Sequence, residues 1–509
     1  MRNFYMMSPQ EQKEASFRRL QKYIKEVVYP YHPYYRKLFK ENGITPEMIR
    51  KPEDLAKIPL TSKDDYRPDP ISFIVQPTMP GRDSRYETAK IAPKFLLKYL
   101  LQGVFNFPRD YASQYRVNFG EDWKYRVIGR RVALEWLPVH FHASAGSTGD
   151  PTPAVYTYRD LHLNVKECVS AIWCGRDVTW DMRCLNIFPG APHLAFFQVV
   201  MGKWLGGASG FDTFGGNVVP TERQIELFSE GEFDSIVAIP SYLTYWLRRA
   251  SVMVESGRIK PLSKLFVALV AAEPLTESLR KYLKELALRC GAREDFHLVQ
   301  GYGMTEMKIA FYECYDESQI HLNPKYFYWE VVDKETGEPV GEGEQGVLVF
   351  SHIDWRGTCF LRYDTGDLVM GGVRWQRCQR CGLTYPILYP PIMRAKKDFT
   401  KIKGTRVSLL ELISTVRDTP GVYQFQIVLE KEIPDDEFSR DMITIRLAVE
   451  DGFEPSRVAE DVKKNVKGKT EVTPDRIVFE EDKEKLEQEL FMRTGIKAEY
   501  VVENRPVHL

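Results

Sequence analysis

The chain of 509 residues has no surplus of either charge: 70 lysines and arginines face 70 aspartates and glutamates. That balance excludes the strongly basic surface of a nucleic-acid binder or of a polybasic membrane protein. Cysteine is scarce, at 8 residues, too thin for a disulfide framework, so the thiols read as reduced or as metal ligands. No apolar run is long enough to span a bilayer. The opening MRNFYMMSPQEQKEASFRRL is charged and amphipathic and lacks the apolar stretch of a secretory leader. The expected location is therefore the cytoplasm, with no membrane and no nucleic-acid partner. There is also no internal repeat, no Gly-x-Ser-x-Gly elbow and no His-Glu-x-x-His pair. What the chain has in quantity is aromatic rings, with 27 tyrosines and 28 phenylalanines, which suit a core and could also line apolar cavities.

At this length two or more domains are expected. Residues 9–63 read as mainly helical, and residues 64–140 as aromatic-rich and irregular. From 143 to about 393 apolar strands alternate with helical segments. VALEWLPV, CLNIFPG, DSIVAIPS, KLFVALVAAEP and FHLVQGYG each read as a short buried strand leading into a loop. This is the pattern of an α/β domain with mainly parallel sheets, whose ligands bind beyond the carboxyl ends of the strands. Strands without long helices follow (QGVLVFSHID, FLRYDTGDLVM). The last 110 residues or so read as a small α+β unit, with LLELISTVRD and PSRVAEDVKKNVKGK helical and VYQFQIVLEK and DMITIRLAVE stranded. The expected domains are 1–393, a hinge at 394–398 and a mobile C-terminal domain at 399–509.

Four loops after apolar strands could carry chemistry. SAGSTG (144–149) offers hydroxyls and unhindered amides to phosphate oxygens, and reads equally as a surface turn; it does not end in the Gly-Lys-Ser/Thr of a Walker loop. VAAEP (270–274) and QGYGMTEM (300–307) bring Tyr302, which can stack on a base, Thr305, which can donate to a phosphate, and Glu306, which can hold Mg²⁺. RYDTGDL (362–368) places Asp367 after a tight Thr-Gly turn, where a carboxylate can accept both hydroxyls of a ribose or close an ordinary Asx turn.

The order of these motifs, a Ser/Thr/Gly loop, AEP, YGMTE, YDTGD and a Lys/Gly hinge, resembles the adenylate-forming superfamily of acyl-CoA synthetases and adenylation domains. Within it the chain is similar to the phenylacetate–CoA ligase branch. PYYRKLFKENGITPEMIRKPEDLAKIPLTSKDDYR, DKETGEPVGEGEQGVLVFS and the CxxCG after YDTGD carry that likeness. It covers about 10–66 and 143–509 and leaves about 67–140 as an extra segment without counterpart. The resemblance implies an AMP-forming acid–CoA ligase: ATP and Mg²⁺ activate a carboxylic acid as acyl-AMP, and CoA takes the acyl group. By the same resemblance Ser144, Ser147, Thr148 and Gly149 would hold the outer phosphates. Ala272, Glu273 and Tyr302 would border the adenine, Thr305 would meet the α-phosphate, Glu306 would hold Mg²⁺, and Asp367 the ribose. In IMRAKKDFTKIKG, Arg394 falls one place earlier than the family's nucleotide-contacting arginine, and Lys397, Lys401 and Gly404 take the hinge and thioester-step positions. MRTGIKAEYVVENRP supplies Lys497 as the catalytic lysine, with an extra Ile before it. Asp150 stands where the family usually has lysine.

The acid pocket implied by the resemblance is formed by His193, Phe196 and Phe197, by Ser241 and Tyr242, and by Gly301 and Gly303. Its rings favour an aromatic or bulky apolar acid. Alternatives are an adenylating enzyme with another acceptor, a phenolic cofactor or a protein, and a binding relative without catalysis. A monomer or homodimer is expected. Separately, the Cys378–Cys381 knuckle with Cys314 and His321 makes a Cys₃His set for a structural Zn²⁺. Cys168, Cys174, Cys184, Cys290 and Cys359 read as core.

Overall fold

The computed structural model describes residues 4–79, 85–105, 109–143, 151–169, 182–190, 194–314, 319–390, 392–394, 399–434, 436, 439–492 and 498–505. The chain divides into two compact units. One contains Met1–Met182, Gly190–Ser209 and Gly301–Ile392; the other contains Arg183–Pro189, Gly210–Gln300 and Met393–Leu509.

In the second unit the strands Arg183–Asn186, Ser235–Ala238, Val267–Val270 and the start of His297–Gly303 pair in parallel. Ser235–Ala238 and Val267–Val270 are buried at every position, as strands covered on both faces must be. Helices Thr221–Glu230, Pro240–Glu255 and Glu277–Arg289 join their core through residues three and four apart: Ile225 and Phe228; Leu243, Trp246, Leu247 and Ala250; Leu279, Leu283 and Leu286. Pro240 opens its helix at the first position, and the Thr276 hydroxyl caps the next by accepting the Leu279 N–H. The expected parallel α/β pattern is found here, and the strand ends near 239 and 271 open into the loops that carry the motifs.

The same unit contains an α+β element with its own core. The antiparallel strands Val422–Lys431 and Asp441–Val449 are flanked in parallel by Val501–Glu503 and Arg476–Phe479. Phe425, Ile427, Ile443 and Ile445 pack with Val458, Val462 and Val466 of helix Pro455–Thr470.

The first unit is built on antiparallel pairing. Phe327–Val332, Gly346–His352 and Tyr363–Val369 form adjacent strands over a core rich in rings, among them Phe311, Phe327, Trp329, Phe350, Trp355 and Phe360. The last three residues of His297–Gly303 pair antiparallel with Ala310–Glu313, which continues to Ile320–His321, Ile387–Leu388 and Val373–Arg374.

Two expectations change. VALEWLPV is not a strand: residues 132–136 finish the helix Trp123–Trp136, and the strand Pro138–Ala143 begins beyond it. The helix wins because it buries Trp136, whose indole donates to the Tyr99 hydroxyl at 2.8 Å, and Glu135, which pairs with Arg356 at 3.0 Å. The stretch read as irregular therefore contains three helices, Pro93–Phe105, Arg109–Phe119 and Trp123–Trp136. The strand before the Ser/Thr/Gly loop, Pro138–Ala143, pairs antiparallel with Pro153–Thr157. No helix among the described residues is long and apolar enough to cross a membrane.

Candidate active site

In the first unit the end of strand His297–Gly303 leads through Met304 into a single 3₁₀ turn, Thr305–Met307. Gly303 sits so close to its partner strand that an added Cβ would lie 2.8 Å from the Ala310 Cβ and 2.9 Å from its Cα. Close pairing therefore demands this glycine, while Gly301 is buried opposite Tyr312. Between them Tyr302 donates its hydroxyl to Asp367 Oδ2 at 2.7 Å, joining residues 65 apart in sequence. Asp367 is buried on strand Tyr363–Val369. Its N–H binds Thr365 Oγ1 at 3.1 Å, and the preceding Gly366, at φ 69°, donates its N–H to Asp364 at 2.8 Å. This Asx turn fixes the carboxylate, and the Tyr302 hydroxyl aims it.

Glu306 is buried, with the Lys63 ammonium 3.8 Å from Oε1. The Tyr363 hydroxyl is held well above its ordinary pKa, first by burial and then by the adjacent Glu306 carboxylate. A buried carboxylate offers the hard oxygens that a divalent cation such as Mg²⁺ takes, and the Lys63 ammonium beside Oε1 is a second cation for the same group. The residue after this turn, Lys308, adopts a left-handed φ of 65°. Its fully buried ammonium lies 3.5 Å from Asp160 and 4.1 Å from the centre of the Trp355 ring, which locks the turn.

Sequence reasoning missed Lys63, Lys308 and His142. His142, on strand Pro138–Ala143, places Nε2 3.4 Å from the Thr305 carbonyl oxygen. A carbonyl only accepts, so Nε2 carries the proton. Burial lowers the His142 pKa to about 3, so the ring is neutral. The His just before the Ser/Thr/Gly loop was the available signal. Of the pocket rings, Phe197 meets His140 edge-on at 4.7 Å and Phe196 at 5.5 Å.

In the second unit Ala272 of the AEP loop adopts a left-handed φ of 76°, a backbone strain that a loop retains where its shape matters. Glu273 accepts from Ser241 twice, from the backbone N–H at 3.0 Å and from Oγ at 2.9 Å. Ser241 Oγ also accepts the N–H of Ala498 at 3.3 Å. The backbone immediately after Lys497 is thus tied to the AEP motif. Arg248, one helix face further on, donates to Glu487 at 2.7 Å, to the Tyr423 carbonyl at 2.8 Å and to the Tyr282 hydroxyl at 2.9 Å. Tyr242 turns its hydroxyl to Thr221 at 3.0 Å and Gln224 at 3.3 Å. Arg394 is exposed at the end of strand Ile392–Arg394. Lys401 lies on strand Phe399–Ile402, and Lys403 and Gly404 form its two-residue turn at φ 52° and 83°, the geometry of a tight hairpin.

Ser144, Ser147, Thr148, Gly149, Asp150, His193, Lys397 and Lys497 lie outside the described residues. Tyr302, Thr305, Glu306 and Asp367 come together in the first unit, with Phe196 and Phe197 in that same unit; Ser241 and Glu273 come together in the second. Cys314, His321, Cys378 and Cys381 also converge, in the first unit.

Residues 140–354 match the family model for AMP-binding enzymes. The chain is 28% identical over 432 residues to the phenylacetate–coenzyme A ligase of Thermus thermophilus, across 82% of this chain and 78% of the relative. It is 26% identical over 387 residues to the phenylacetate–coenzyme A ligase of Aromatoleum evansii, across 74% of this chain and 67% of that one. Among solved structures, 2-hydroxyisobutyryl-CoA ligase in the postadenylation state in complex with 2-HIB-AMP shares the fold, with a TM-score of 0.72 at 16% identity over 98% of this chain and 91% of the other. Residues 140–354 thus carry the AMP-binding enzyme pattern, and the chain is similar along most of its length to phenylacetate–coenzyme A ligases.

Proposed function

We propose that the protein is an ATP-dependent, AMP-forming carboxylic acid–CoA ligase acting on an aromatic or bulky apolar acid. The observation that carries this reading is the Tyr302–Asp367 hydrogen bond beside Thr305 and Glu306. It joins two distant motifs into one nucleotide-sized constellation. The acid class rests on the Phe196–Phe197–His140 ring cluster and on the phenylacetate ligases among the relatives.

A free carboxylate resists thiols because oxide is its leaving group. Attack of its oxygen on the α-phosphorus of ATP expels pyrophosphate and leaves acyl-AMP. Attack of the CoA thiol on the acyl carbon then expels AMP and gives the thioester. Neither step needs a covalent enzyme group, so the protein positions anions and offsets charge. Asp367, aimed by Tyr302, accepts the ribose hydroxyls; Thr305 donates to the α-phosphate; the Ser144–Gly149 loop holds the outer phosphates. Glu306 would hold Mg²⁺, which neutralises phosphate charge when bound. Lys497 supplies a cation for adenylation from residues 399–509, which we read as a mobile domain pivoting at 394–398 for the thiol step. The Ser241–Ala498 contact holds the backbone beside Lys497 at the AEP loop, the arrangement adenylation requires.

Pyrophosphate release, assayed with arylacetic, benzoic and short branched acids, with and without CoA, tests this. Release that depends on an aryl acid, with thioester formed only when CoA is present, is the expected outcome. Acyl-AMP that accumulates unreacted in the presence of CoA would move the function to another acceptor. No acid-dependent pyrophosphate would leave a non-catalytic relative.

A further inference from the structure

Three thiols and one imidazole that the ligase chemistry does not use meet at one end of the antiparallel strands of the first unit. Cys314 follows strand Ala310–Glu313, His321 lies on Ile320–His321, and Cys378 and Cys381 occupy the loop between Val373–Arg374 and Ile387–Leu388. Strand pairing brings them together: His321 lies opposite Tyr312 on one side and Ile387 on the other. The loop is a closed knuckle. The Arg380 N–H points at Cys378 Sγ at 3.4 Å, Gly382, at φ 75°, donates to the Cys378 carbonyl at 3.0 Å, and the Cys378 N–H binds the Leu383 carbonyl at 2.7 Å.

The donor atoms of all four residues lie within 4.8 Å of one another. Cys314 Sγ and Cys378 Sγ are 3.7 Å apart, and Cys381 Sγ is 3.5 Å from His321 Nε2. Zinc–sulfur and zinc–nitrogen bonds of about 2.3 and 2.05 Å give tetrahedral edges of about 3.8 Å between sulfurs and about 3.6 Å from sulfur to nitrogen. The two measured edges match both values. A sulfur pair at this distance is not a disulfide, whose bond is about 2.05 Å, and Cys314, Cys378 and Cys381 are not disulfide-bonded. Ordinary core packing explains buried thiols, but it gives no reason for a ring nitrogen to face a sulfur at the centre of three of them.

We propose that Cys314, His321, Cys378 and Cys381 bind one structural Zn²⁺. Three soft thiolates and an imidazole select this metal, and four protein ligands leave no position for substrate. The ion clips the 310–321 hairpin to the 378–381 knuckle. It also steadies the amino terminus, because Thr384, just past the knuckle, accepts from Gln12 Nε2 at 2.8 Å and donates to the Met7 carbonyl at 2.9 Å. The site therefore acts on folding and not on the acid or the nucleotide, and it stands or falls independently of the ligase reading.

The test is elemental analysis of the full chain purified without chelator, followed by exchange with Co²⁺. One zinc per chain, together with the visible d–d bands of tetrahedral cobalt and thiolate-to-cobalt charge transfer, is the expected result. Cys378→Ser with Cys381→Ser should abolish the metal and lower the unfolding midpoint. Metal content near zero in the folded wild-type chain, an octahedral cobalt spectrum, or zinc that persists in the double variant would each overturn the assignment. The wild-type measurements decide the matter even if the variant fails to fold.

Discussion

Replacing Tyr302 by Phe separates what its hydroxyl does from what its ring does. The ring, read as a border of the adenine, is kept; the bond to Asp367 Oδ2 at 2.7 Å is removed. A hydrogen bond to a carboxylate contributes about 1.5–3 kcal/mol. Tyr302 is only half-buried, so water can replace part of the lost bond, and the lower end of that range applies. A loss of about 1.4 kcal/mol corresponds to a tenfold change in affinity. The KM for ATP should therefore rise about tenfold while kcat changes little if, as proposed, the bond aims a ribose contact made in both ground and transition states. Asp367→Ala should raise it further. The decisive quantity is the coupling between the two: in the Asp367→Ala background, Tyr302→Phe should have almost no added effect, since its partner is gone. Initial rates of pyrophosphate release against ATP for the four proteins of this cycle give the coupling directly. Additive effects, or a Tyr302→Phe enzyme with the wild-type KM, would refute the assignment of Tyr302 as the residue that positions Asp367.

Ser241→Ala removes the hydroxyl bond to Glu273 and the Ala498 anchor, and keeps the backbone bond to Glu273; adenylation should slow about tenfold, for a loss near 1.4 kcal/mol, while thioester formation from supplied acyl-AMP is untouched. Equal loss in both half-reactions would dissociate that anchor from Lys497. Burial holds His142 at a pKa of about 3 and His32 at about 4, below the ordinary value near 6.5. The unfolded chain thus binds more protons between those values, and stability, fully present above pH 6.5, falls as the pH drops through this window by up to about 1.4 kcal/mol per unit per ring. Thermal unfolding midpoints from pH 6.5 to 4.5 should decline, and less steeply for His142→Asn; an identical slope in that variant counts against a buried neutral His142. Lys63→Met removes the half-exposed ammonium beside Glu306 and should raise the KM for ATP severalfold, about 1 kcal/mol for such a pair, with Lys63→Arg close to wild type. An unchanged KM would make Lys63 a surface partner without a role in nucleotide binding.

The parts of the fold that the sequence reveals are those governed by local rules. SIVA and VALV are short, almost wholly apolar and bounded by turn residues, and they form buried parallel strands. VALEWLPV fails because three apolar residues, a glutamate and two more apolar residues carry neither period clearly. What decides it is tertiary: Trp136 is buried against Tyr99 and Tyr31, and Glu135 finds Arg356, which lies 221 residues away. The same is true of the whole 93–136 segment, whose helices exist to cover a ring-lined core that its own sequence does not disclose.

The site divides along the same line. A motif such as YDTGD is visible because its constraint is local: Gly366 must adopt a positive φ so that the Asp364 turn closes and Asp367 faces inward. Which residue then holds that carboxylate depends on strand order, and Tyr302 reaches it only because its strand ends beside the turn. Lys63 with Glu306, His142 with Thr305, and Ser241 with Ala498 are pairs of the same kind. None has a spacing that could announce it, since a side chain need only be near its partner in space. The charge of the site follows this rule as well. Asp150, just past the loop that we read as holding phosphate, stands where the resemblance implies a lysine. Yet the constellation around Glu306 already contains an ammonium, delivered by Lys63 from the helix Lys63–Tyr66, far away in the chain. Whether a phosphate meets enough positive charge is thus settled by the sum of elements that surround it, and a substitution in one loop says nothing until the others have been placed.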